Sequence, residues 1–302
     1  MCHSEAELNV EVIDGELLIA GTALISVMTA VLIFVFGLII GSFLNVCILR
    51  IPVSESIVLP PSHCPSCGAQ IKPYDNIPVV SWLLLAGRCR KCKVHISAMY
   101  PMVEIATGLL FLACYFAFGI NAEALKWGIF AALLIVLTIT DLRERILPDK
   151  VNFLGLGMGL VLSLFTKPVD GTAQWLADRL FAYPPPEAAL SFADALIGAG
   201  MASGLLWLVA EGYFRARGRE GMGLGDVKMM AMAGAFLGLQ RALLTILLGS
   251  LLGSIIGIAV ISIGRKGRDF ELPFGTFLGA GAILVMFFGS PALAWYRAFT
   301  HV

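Results

Sequence analysis

The sequence predicts an all-α polytopic membrane protein of about eight transmembrane helices, with a small zinc-binding module on the cytoplasmic side. Of its 302 residues, 58% are hydrophobic and only 14% are charged, and the mean hydropathy is +0.87. Many uncharged runs are long enough to cross a bilayer, which takes about 20 residues. This composition excludes an ordinary soluble globular protein.

Apolar runs define the candidate spans. The first run carries no charge between residues 17 and 49, and we expect its later part to cross the membrane. A polar segment with prolines and paired cysteines follows at 50–100. Seven further apolar runs occupy 101–120, 122–140, 151–166, 188–210, 229–240, 242–264 and 274–296.

The chain therefore divides into three predicted units. An N-terminal outside segment and the first helix occupy 1–49, and the cytoplasmic cysteine module occupies 50–100. A seven-helix membrane core occupies 101–302. Within it, segment 167–187 is predicted to be an external loop, and it contains no motif that we recognise.

The distribution of basic residues predicts the orientation. With eight spans and the N-terminus outside, the cytoplasmic segments are 50–100, 141–150, 214–228 and 265–273. These segments hold 16 of the 21 basic residues, as expected from the excess of Lys and Arg in cytoplasmic loops. The remaining basic residues, on the predicted outer side, are Lys126, Lys167, Arg179, Arg241 and Arg297.

Four of the seven cysteines form two Cys-x-x-Cys pairs. The pairs are separated by 21 residues and consist of Cys64, Cys67, Cys89 and Cys92. Two such pairs are typical of tetrahedral Zn²⁺ coordination in a closed structural site. Two disulfides or four free thiols are the alternatives, although a cytoplasmic location disfavours disulfides. His63 and His95 flank the pairs and are minor alternative ligands.

The stretch Gly221–Lys228, with the sequence GMGLGDVK, delivers Asp226 to the start of an apolar run. Three alternating glycines allow the backbone to approach a partner closely. A carboxylate beside lipid is costly and indicates a functional site. Asp141 is the predicted partner, because it ends an uncharged run and reaches the same cytoplasmic face.

Other acids are weaker candidates. Asp149 follows Pro148 and is interpreted as the start of a helix, where an acid complements the helix dipole. Asp194 falls near the outer end of its span. Glu104 and Glu211 lie at cytoplasmic ends and are interpreted first as interface residues. Asp141 and Asp226 could instead be interface anchors, each paired with a nearby base, Arg143 or Lys228.

Two carboxylates held close together do not both ionise easily, so one keeps its proton. Such a pair provides a general acid and a general base that activates water, as in aspartic proteolysis. The alternative from a different class is a cation or proton transporter that uses Asp141 and Asp226 as a relay.

Several motifs occur together and in order along the chain. The set comprises Gly41–Val46 with Arg50 and Pro52, Cys64–Cys67, Tyr74–Pro78, Ser81–Leu83, Cys89–Cys92, Tyr100–Glu104, Asp141, Ile146–Asp149, Gly221–Lys228 and Pro273–Gly275. With these motifs the chain resembles the type IV prepilin peptidase family, the GxGD-type membrane aspartic peptidases. Asp75 stands where the family usually has Glu, and Thr276 where it often has Pro. We expect neither departure to touch the proposed catalytic pair.

The resemblance implies that Asp141 and Asp226 are the catalytic pair. They would cleave the basic leader of type IV prepilins or type II secretion pseudopilins at the cytoplasmic face of the bacterial inner membrane. Family members with the cysteine module commonly also N-methylate the new N-terminus with S-adenosylmethionine. The expected partners are these substrates and the lipid bilayer, and not nucleic acid. Homodimerisation is left open.

The length of the helix after Asp226 predicts how deep Gly221–Lys228 lies in the membrane. Only 14 residues separate Asp226 from Arg241, or about 21 Å of helix at 1.5 Å per residue. This is shorter than the roughly 30 Å hydrocarbon core. We therefore predict that Gly221–Lys228 dips below the membrane surface or that the membrane thins there. Irregular backbone at that depth must be covered by protein or line a wet cavity.

Overall fold

A computed structural model of the protein describes residues 3–219, 221–263 and 272–300. Within these ranges the chain forms nine α-helices and no β-strand. Cys2, Arg265, Lys266 and Arg268, and with them most of the predicted loop 265–273, lie outside the described residues. The helices are α1 (His3–Arg50), α2 (Val80–Leu84), α3 (Met99–Phe118), α4 (Ala122–Glu144), α5 (Asp149–Ser163), α6 (Thr172–Leu180), α7 (Glu187–Arg217), α8 (Leu224–Ser262) and α9 (Phe274–Thr300).

Within the part of the chain that the structure describes, six helices are long and apolar enough to cross a membrane. They are the Leu24–Arg50 part of α1, together with α3, α4, α7, α8 and α9. The prediction of an all-helical, multi-pass membrane protein is therefore confirmed. Helix α5 has only 15 residues and is too short to count among the six. The number of eight spans stays a prediction.

Helix α8 consists of two halves that meet at Gly238. This residue has φ 73° and ψ 179°, which is not helical. Its positive φ favours glycine, because a side chain at this φ clashes with the backbone. Space is also limiting, since a Cβ at Gly238 would lie 2.7 Å from Oδ2 of Asp170.

The two halves of α8 run in opposite directions. Gly257, near the end of the second half, lies against Leu272 just before α9. Asp226, at the start of the first half, lies against Gly275 at the start of α9. Both ends of α8 therefore lie at the same end of the bundle, and the chain reverses at Gly238. The two halves correspond to the separate apolar runs 229–240 and 242–264.

Helix α4 runs through the centre of the bundle. It contacts α1, α3, α5, α8 and α9, and side chains such as Phe130, Leu134 and Leu137 have no exposed surface. The ring of Phe130 stacks on Phe236 of α8, with centroids 4.7 Å apart. Because α4 ends at Glu144, this packing fixes the position of Asp141 in its last turn.

The polar segment between α1 and α3 forms the cysteine module. Glu104 of α3 is 7% exposed, and its Oε2 accepts a hydrogen bond of 2.7 Å from the backbone N–H of Val79. Within the module, Nε1 of Trp82 donates to the carbonyl oxygen of Ile96 at 3.1 Å. Glu104 thus joins the module to the membrane helices, which agrees with its interpretation as an interface residue.

Segment 167–187 contains a helix that the sequence analysis did not predict. Helix α6 has nine residues, and its Ala173 and Ala177 pack against Leu190 of α7. An isolated helix of this length is marginal in water, so tertiary packing and not local propensity determines it.

The first half of α8 is held against α7 by two glycines. A Cβ on Gly198 would overlap the carbonyl oxygen of Gly234, and a Cβ on Gly234 would overlap that of Gly198. We predict that Gly198→Ala destabilises the protein by about 1–3 kcal/mol, because the two backbones must separate. Thermal unfolding of the purified protein in detergent measures this effect.

Gly200→Ala on the same helix is the control, because a Cβ there meets no atom within 4 Å. Alanine has the higher helix propensity, so this variant should be neutral or slightly more stable. Equal unfolding temperatures for Gly198→Ala and Gly200→Ala would contradict the close approach.

Candidate functional site

Asp141 and Asp226 come from the ends of two different helices. Asp141 lies in the last turn of α4, where its carbonyl oxygen accepts a 2.9 Å hydrogen bond from the N–H of Arg145. Arg145 ends the helix in the left-handed conformation. Asp226 lies in the first turn of α8. The two acids are 5% and 7% exposed, so both are buried.

The two carboxylates meet beside the start of α9. A Cβ placed on Gly275 would lie 3.1 Å from Oδ2 of Asp141 and 3.1 Å from Oδ1 of Asp226. The two oxygens are therefore separated by at most twice that distance. The structure thus brings together the two acids that the sequence predicts as partners, although they lie 85 positions apart in the chain.

Thr276 binds Asp141 directly. Its backbone N–H donates to Oδ2 of Asp141 at 2.6 Å, and its hydroxyl donates to the same oxygen at 2.9 Å. The expectation that Thr276 would not touch the acid pair is therefore wrong. It failed because α9 is distant in sequence and nothing in its pattern shows that its first turn faces α4. A proline at this position would lack the N–H donor.

Leu147 packs closely on two glycines next to the acid pair. A Cβ on Gly225 would lie 3.0 Å from Cβ of Leu147, and one on Gly275 would lie 2.8 Å from its Cδ1. Gly221 packs against the ring of Tyr213, whereas Gly223 would meet nothing closer than 3.8 Å. None of the glycines at 221, 223 and 225 has a positive φ, so close approach and not unusual torsion accounts for two of them.

The rival acid Asp149 is neutralised by an ion pair. Lys228 contacts both of its carboxylate oxygens at 2.8 Å. The basic residue of the Gly221–Lys228 stretch therefore pairs with Asp149 and not with Asp226. Asp149 also begins α5, as the sequence predicted.

The other two candidate acids lie elsewhere. Asp194 accepts hydrogen bonds from the N–H groups of Gly171 and Ala173, at the far end of the bundle. Glu211 forms an exposed ion pair with Arg215 at 2.7 Å. Neither acid joins the pair of Asp141 and Asp226.

The four module cysteines form a cluster that can hold a metal ion. Their sulfur atoms all lie within 4.8 Å of one another, and Sγ of Cys64 is 3.7 Å from Sγ of Cys92. Four thiolates at about 2.3 Å from a tetrahedral Zn²⁺ would be about 3.8 Å apart. The cluster contains neither His63 nor His95, so among the described residues the candidate ligand set is four cysteines.

The two cysteine pairs fold as matching turns. In the first, the N–H of Gly68 donates to the carbonyl oxygen of Cys64, and in the second the N–H of Lys93 donates to that of Cys89, at 2.9 and 3.0 Å. Gly68 and Lys93 both have positive φ, at 65° and 60°. The glycine at position 68 predicts a tight turn after the first cysteine pair. The matching turn after the second pair has Lys93 at this position, and a lysine does not indicate a turn.

Local hydrogen bonds act on Cys89 and on the second turn of the module. The backbone N–H groups of Cys92 and Lys91 lower the pKa of the Cys89 thiol to about 6, which favours the thiolate that binds metal. Arg90 in the second turn donates from Nε and Nη2 to Asp75, at 2.9 and 2.6 Å. Asp75 therefore braces the module and, as expected, does not contact the acid pair.

Comparisons with known families agree with this geometry. A family model described as "Type IV leader peptidase family" matches residues 128–258, which contain both acids. A model described as "Bacterial Peptidase A24 N-terminal domain" matches residues 35–118, which contain the module. No solved structure matches the chain.

Several curated relatives match along most of the chain. A "Prepilin leader peptidase/N-methyltransferase" of Stutzerimonas stutzeri is 34% identical over 296 residues, covering 89% of this chain and 93% of the relative. A protein of the same name from Pseudomonas aeruginosa is 34% identical and covers 87% of this chain and 91% of the relative. One from Myxococcus xanthus is 38% identical, with 80% and 66% covered. The chain belongs to the type IV leader peptidase family.

Sequence reasoning missed three contributors to the site. Thr276 binds Asp141, Gly275 lies beside both carboxylates, and Leu147 packs on Gly225 and Gly275. In the sequence these residues were noted only as parts of motifs or as a departure. One sequence signal could have indicated them. Ile146–Asp149 and Pro273–Gly275 both lie next to predicted span ends on the cytoplasmic face. Only the packing shows that these ends meet.

We predict that Cys64→Ser removes the metal of the purified protein, because three thiolates leave an incomplete tetrahedron. Metal content by mass spectrometry of the intact protein, or by elemental analysis, measures the loss. Cys114→Ala is the control, since Cys114 is buried in the helix core and outside the cluster. Unchanged metal content in Cys64→Ser would contradict the four-cysteine site.

Proposed function

We propose that this protein cleaves the leader peptide of type IV prepilins or type II secretion pseudopilins and N-methylates the new N-terminus. The observation that carries the proposal is the meeting of two buried carboxylates, Asp141 and Asp226, beside Gly275. Membership of the leader peptidase family and the names of the relatives support it.

Asp141 and Asp226 are the proposed catalytic residues. The two hydrogen bonds from Thr276 to Oδ2 of Asp141 favour the charged carboxylate. We therefore assign Asp141 as the general base that activates water and Asp226 as the protonated acid. Water attacks the scissile carbonyl carbon while Asp226 protonates the carbonyl oxygen. The proton taken up by Asp141 then passes to the amide nitrogen as the C–N bond breaks, and the hydroxyl formed from the carbonyl oxygen returns its proton to Asp226.

We propose that this site faces the cytoplasm of a bacterial inner-membrane protein whose N-terminus is outside. The concentration of basic residues on the segments around the site supports this orientation. The short first half of α8 and the 15-residue α5 both begin next to the acid pair. This arrangement supports a site recessed below the membrane surface, where the apolar helix of a prepilin can lie beside the bundle.

We assign zinc to the four-cysteine cluster as a structural metal. Cys64, Cys67, Cys89 and Cys92 would hold it, and with four protein ligands it leaves no open position for catalysis. In this proposal the module at 50–100 is a folding unit, and the membrane core at 101–302 carries peptide cleavage. Glu104, through its bond to Val79, couples the two.

For the methyl transfer we propose S-adenosylmethionine as donor, on the strength of the relatives' names. Gly41 packs on Glu104 and Thr107 of α3, which accounts for one glycine of the Gly41–Val46 motif by helix packing. Asn45 donates from Nδ2 to the carbonyl oxygen of Tyr100 at 3.0 Å, but its Oδ1 is buried with no partner among the described residues. We assign this oxygen as a hydrogen-bond acceptor for S-adenosylmethionine bound between α1 and the module.

The transporter alternative has no support in the comparisons, which describe peptidases. A transporter and a peptidase give different experimental results, because a transporter would carry cations across the membrane of proteoliposomes. Cleavage without such flux separates the two functions.

We predict that Asp141→Asn and Asp226→Asn each abolish leader cleavage of a purified prepilin, because neither amide can serve as acid or base. Gel mobility and mass spectrometry of the product measure the loss. In the wild type, the product mass also shows whether one methyl group has been added to the new N-terminus.

Asp149→Asn is the matched control, since it removes an acid of the same face that pairs with Lys228. It should retain cleavage and alter stability by less than about 1 kcal/mol, as expected for an exposed ion pair. Full activity of either Asp141→Asn or Asp226→Asn would overturn the catalytic assignment.

The glycines give an independent prediction. Gly225→Ala places a methyl group 3.0 Å from Leu147, so Leu147 or the first turn of α8 must shift and Asp226 with it. We expect a loss of cleavage of about tenfold or more, since small displacements of catalytic groups are costly.

Gly223→Ala is the control, because its methyl group would meet no atom closer than 3.8 Å. This variant should cleave at close to the wild-type rate, measured as kcat on the same prepilin. Equal rates for the two variants would show that contact with Leu147 does not position Asp226.

A further inference from the structure

A second polar site occupies the opposite end of the bundle. Lys126, near the start of α4, lies 15 residues before Asp141 on the same helix, about 22 Å away at 1.5 Å per residue. With Lys167 and Arg241 it lines a cavity of about 230 Å³. Three of the five basic residues on the predicted outer side therefore converge on one cavity.

The buried cations of this cavity have few hydrogen-bond partners in the described chain, and none of these partners is charged. The side chain of Lys126 is 1% exposed, and its hydrogen bond within the described chain is a 3.5 Å contact with Oγ1 of Thr166. Arg241 donates from Nη2 to the carbonyl oxygen of Val169 and to Oγ of Ser290. Its Nε is buried with no partner among the described residues. Buried donors without acceptors are costly, so these groups point to a missing anion.

Nearby acids do not supply that anion. Asp170 accepts hydrogen bonds from the N–H groups of Gln240 and Thr172, and Asp194 accepts from those of Ala173 and Gly171. Within the described chain neither carboxylate forms an ion pair with Lys126 or Arg241. Of the acids in the described ranges, Glu123 is the one that lines the cavity, beside Lys126, Lys167 and Arg241.

The walls of the cavity indicate the kind of anion. Phe118, Trp127 and Phe287 line it, and aromatic side chains are enriched at the depth of lipid headgroups. Phe116 and Phe165, next to cavity residues in sequence, are 72% and 70% exposed and offer an apolar surface to acyl chains. The planar arginine fork matches the geometry of phosphate oxygens.

We propose that this cavity binds the phosphodiester headgroup of an anionic phospholipid. Lys126 and Arg241 contact the phosphate oxygens, and Lys167 contributes from the rim. The cavity is smaller than the roughly 300–1,000 Å³ of sites for drug-sized ligands, which suits a headgroup phosphate. The bound lipid would tie α4 to α9 and to the reversal of α8, because the lining residues come from these elements.

The test uses the purified full-length protein in detergent, titrated with phosphatidylglycerol, phosphatidylcholine or inorganic phosphate. Ligands that bind the folded state raise the thermal unfolding temperature. We expect phosphatidylglycerol to raise it, and phosphatidylcholine and inorganic phosphate to leave it nearly unchanged. Lys126→Met and Arg241→Gln should each weaken the apparent lipid affinity by about tenfold or more, since each removes a charged hydrogen-bond donor.

Arg179→Gln is the matched control. Arg179 is an exposed outer-side cation that stacks on Trp175 and does not line the cavity, so this variant should bind the lipid as the wild type does. Lys167→Gln changes an exposed rim residue and provides the test if the buried substitutions prevent folding; its affinity should fall several-fold. Equal stabilisation by both lipids, or unchanged affinity in the cavity variants, would overturn the proposal. A response to inorganic phosphate as large as that to phosphatidylglycerol would overturn the lipid assignment.

Discussion

The convergence of three helix ends is the constraint on which the acid pair depends. The end of α4, the start of α8 and the start of α9 meet around Gly275, where a Cβ would lie 3.1 Å from an oxygen of each carboxylate. The two hydrogen bonds from Thr276 to Asp141 hold the start of α9 against the end of α4. Buried carboxylates are expensive unless they are hydrogen-bonded, so the site exists only where the helices supply both donors and space.

Small residues make this convergence possible. Gly225 and Gly275 admit Leu147, and Gly198 and Gly234 allow α7 and α8 to touch backbone to backbone. Transmembrane helices lack a hydrophobic driving force between them and rely on such close packing. Glycines therefore mark several of the closest helix contacts, from the acid pair to the reversal at Gly238.

The two ends of the bundle have different polar chemistry. At one end two acids lie together, and the neighbouring cation Lys228 is occupied by Asp149. At the other end Lys126 and Arg241 lie together, and the neighbouring acids Asp170 and Asp194 are occupied by backbone N–H groups. The charges that converge at one end of the bundle are therefore acidic, and those that converge at the other end are basic. The cysteine module lies apart from both and is attached through Glu104.

The sequence alone determined the class of fold, the pairing of Asp141 with Asp226 and the four-cysteine cluster. Uncharged runs, span-end acids and Cys-x-x-Cys spacing are local signals, because bilayer thickness and metal geometry act on short stretches of chain. The tertiary structure decided the roles of Thr276, Leu147 and Gly275, the pairing of Lys228 with Asp149, and the cavity around Lys126. These depend on contacts between helices far apart in sequence. The hydrophobic pattern of a helix does not show which end of another helix its own end contacts.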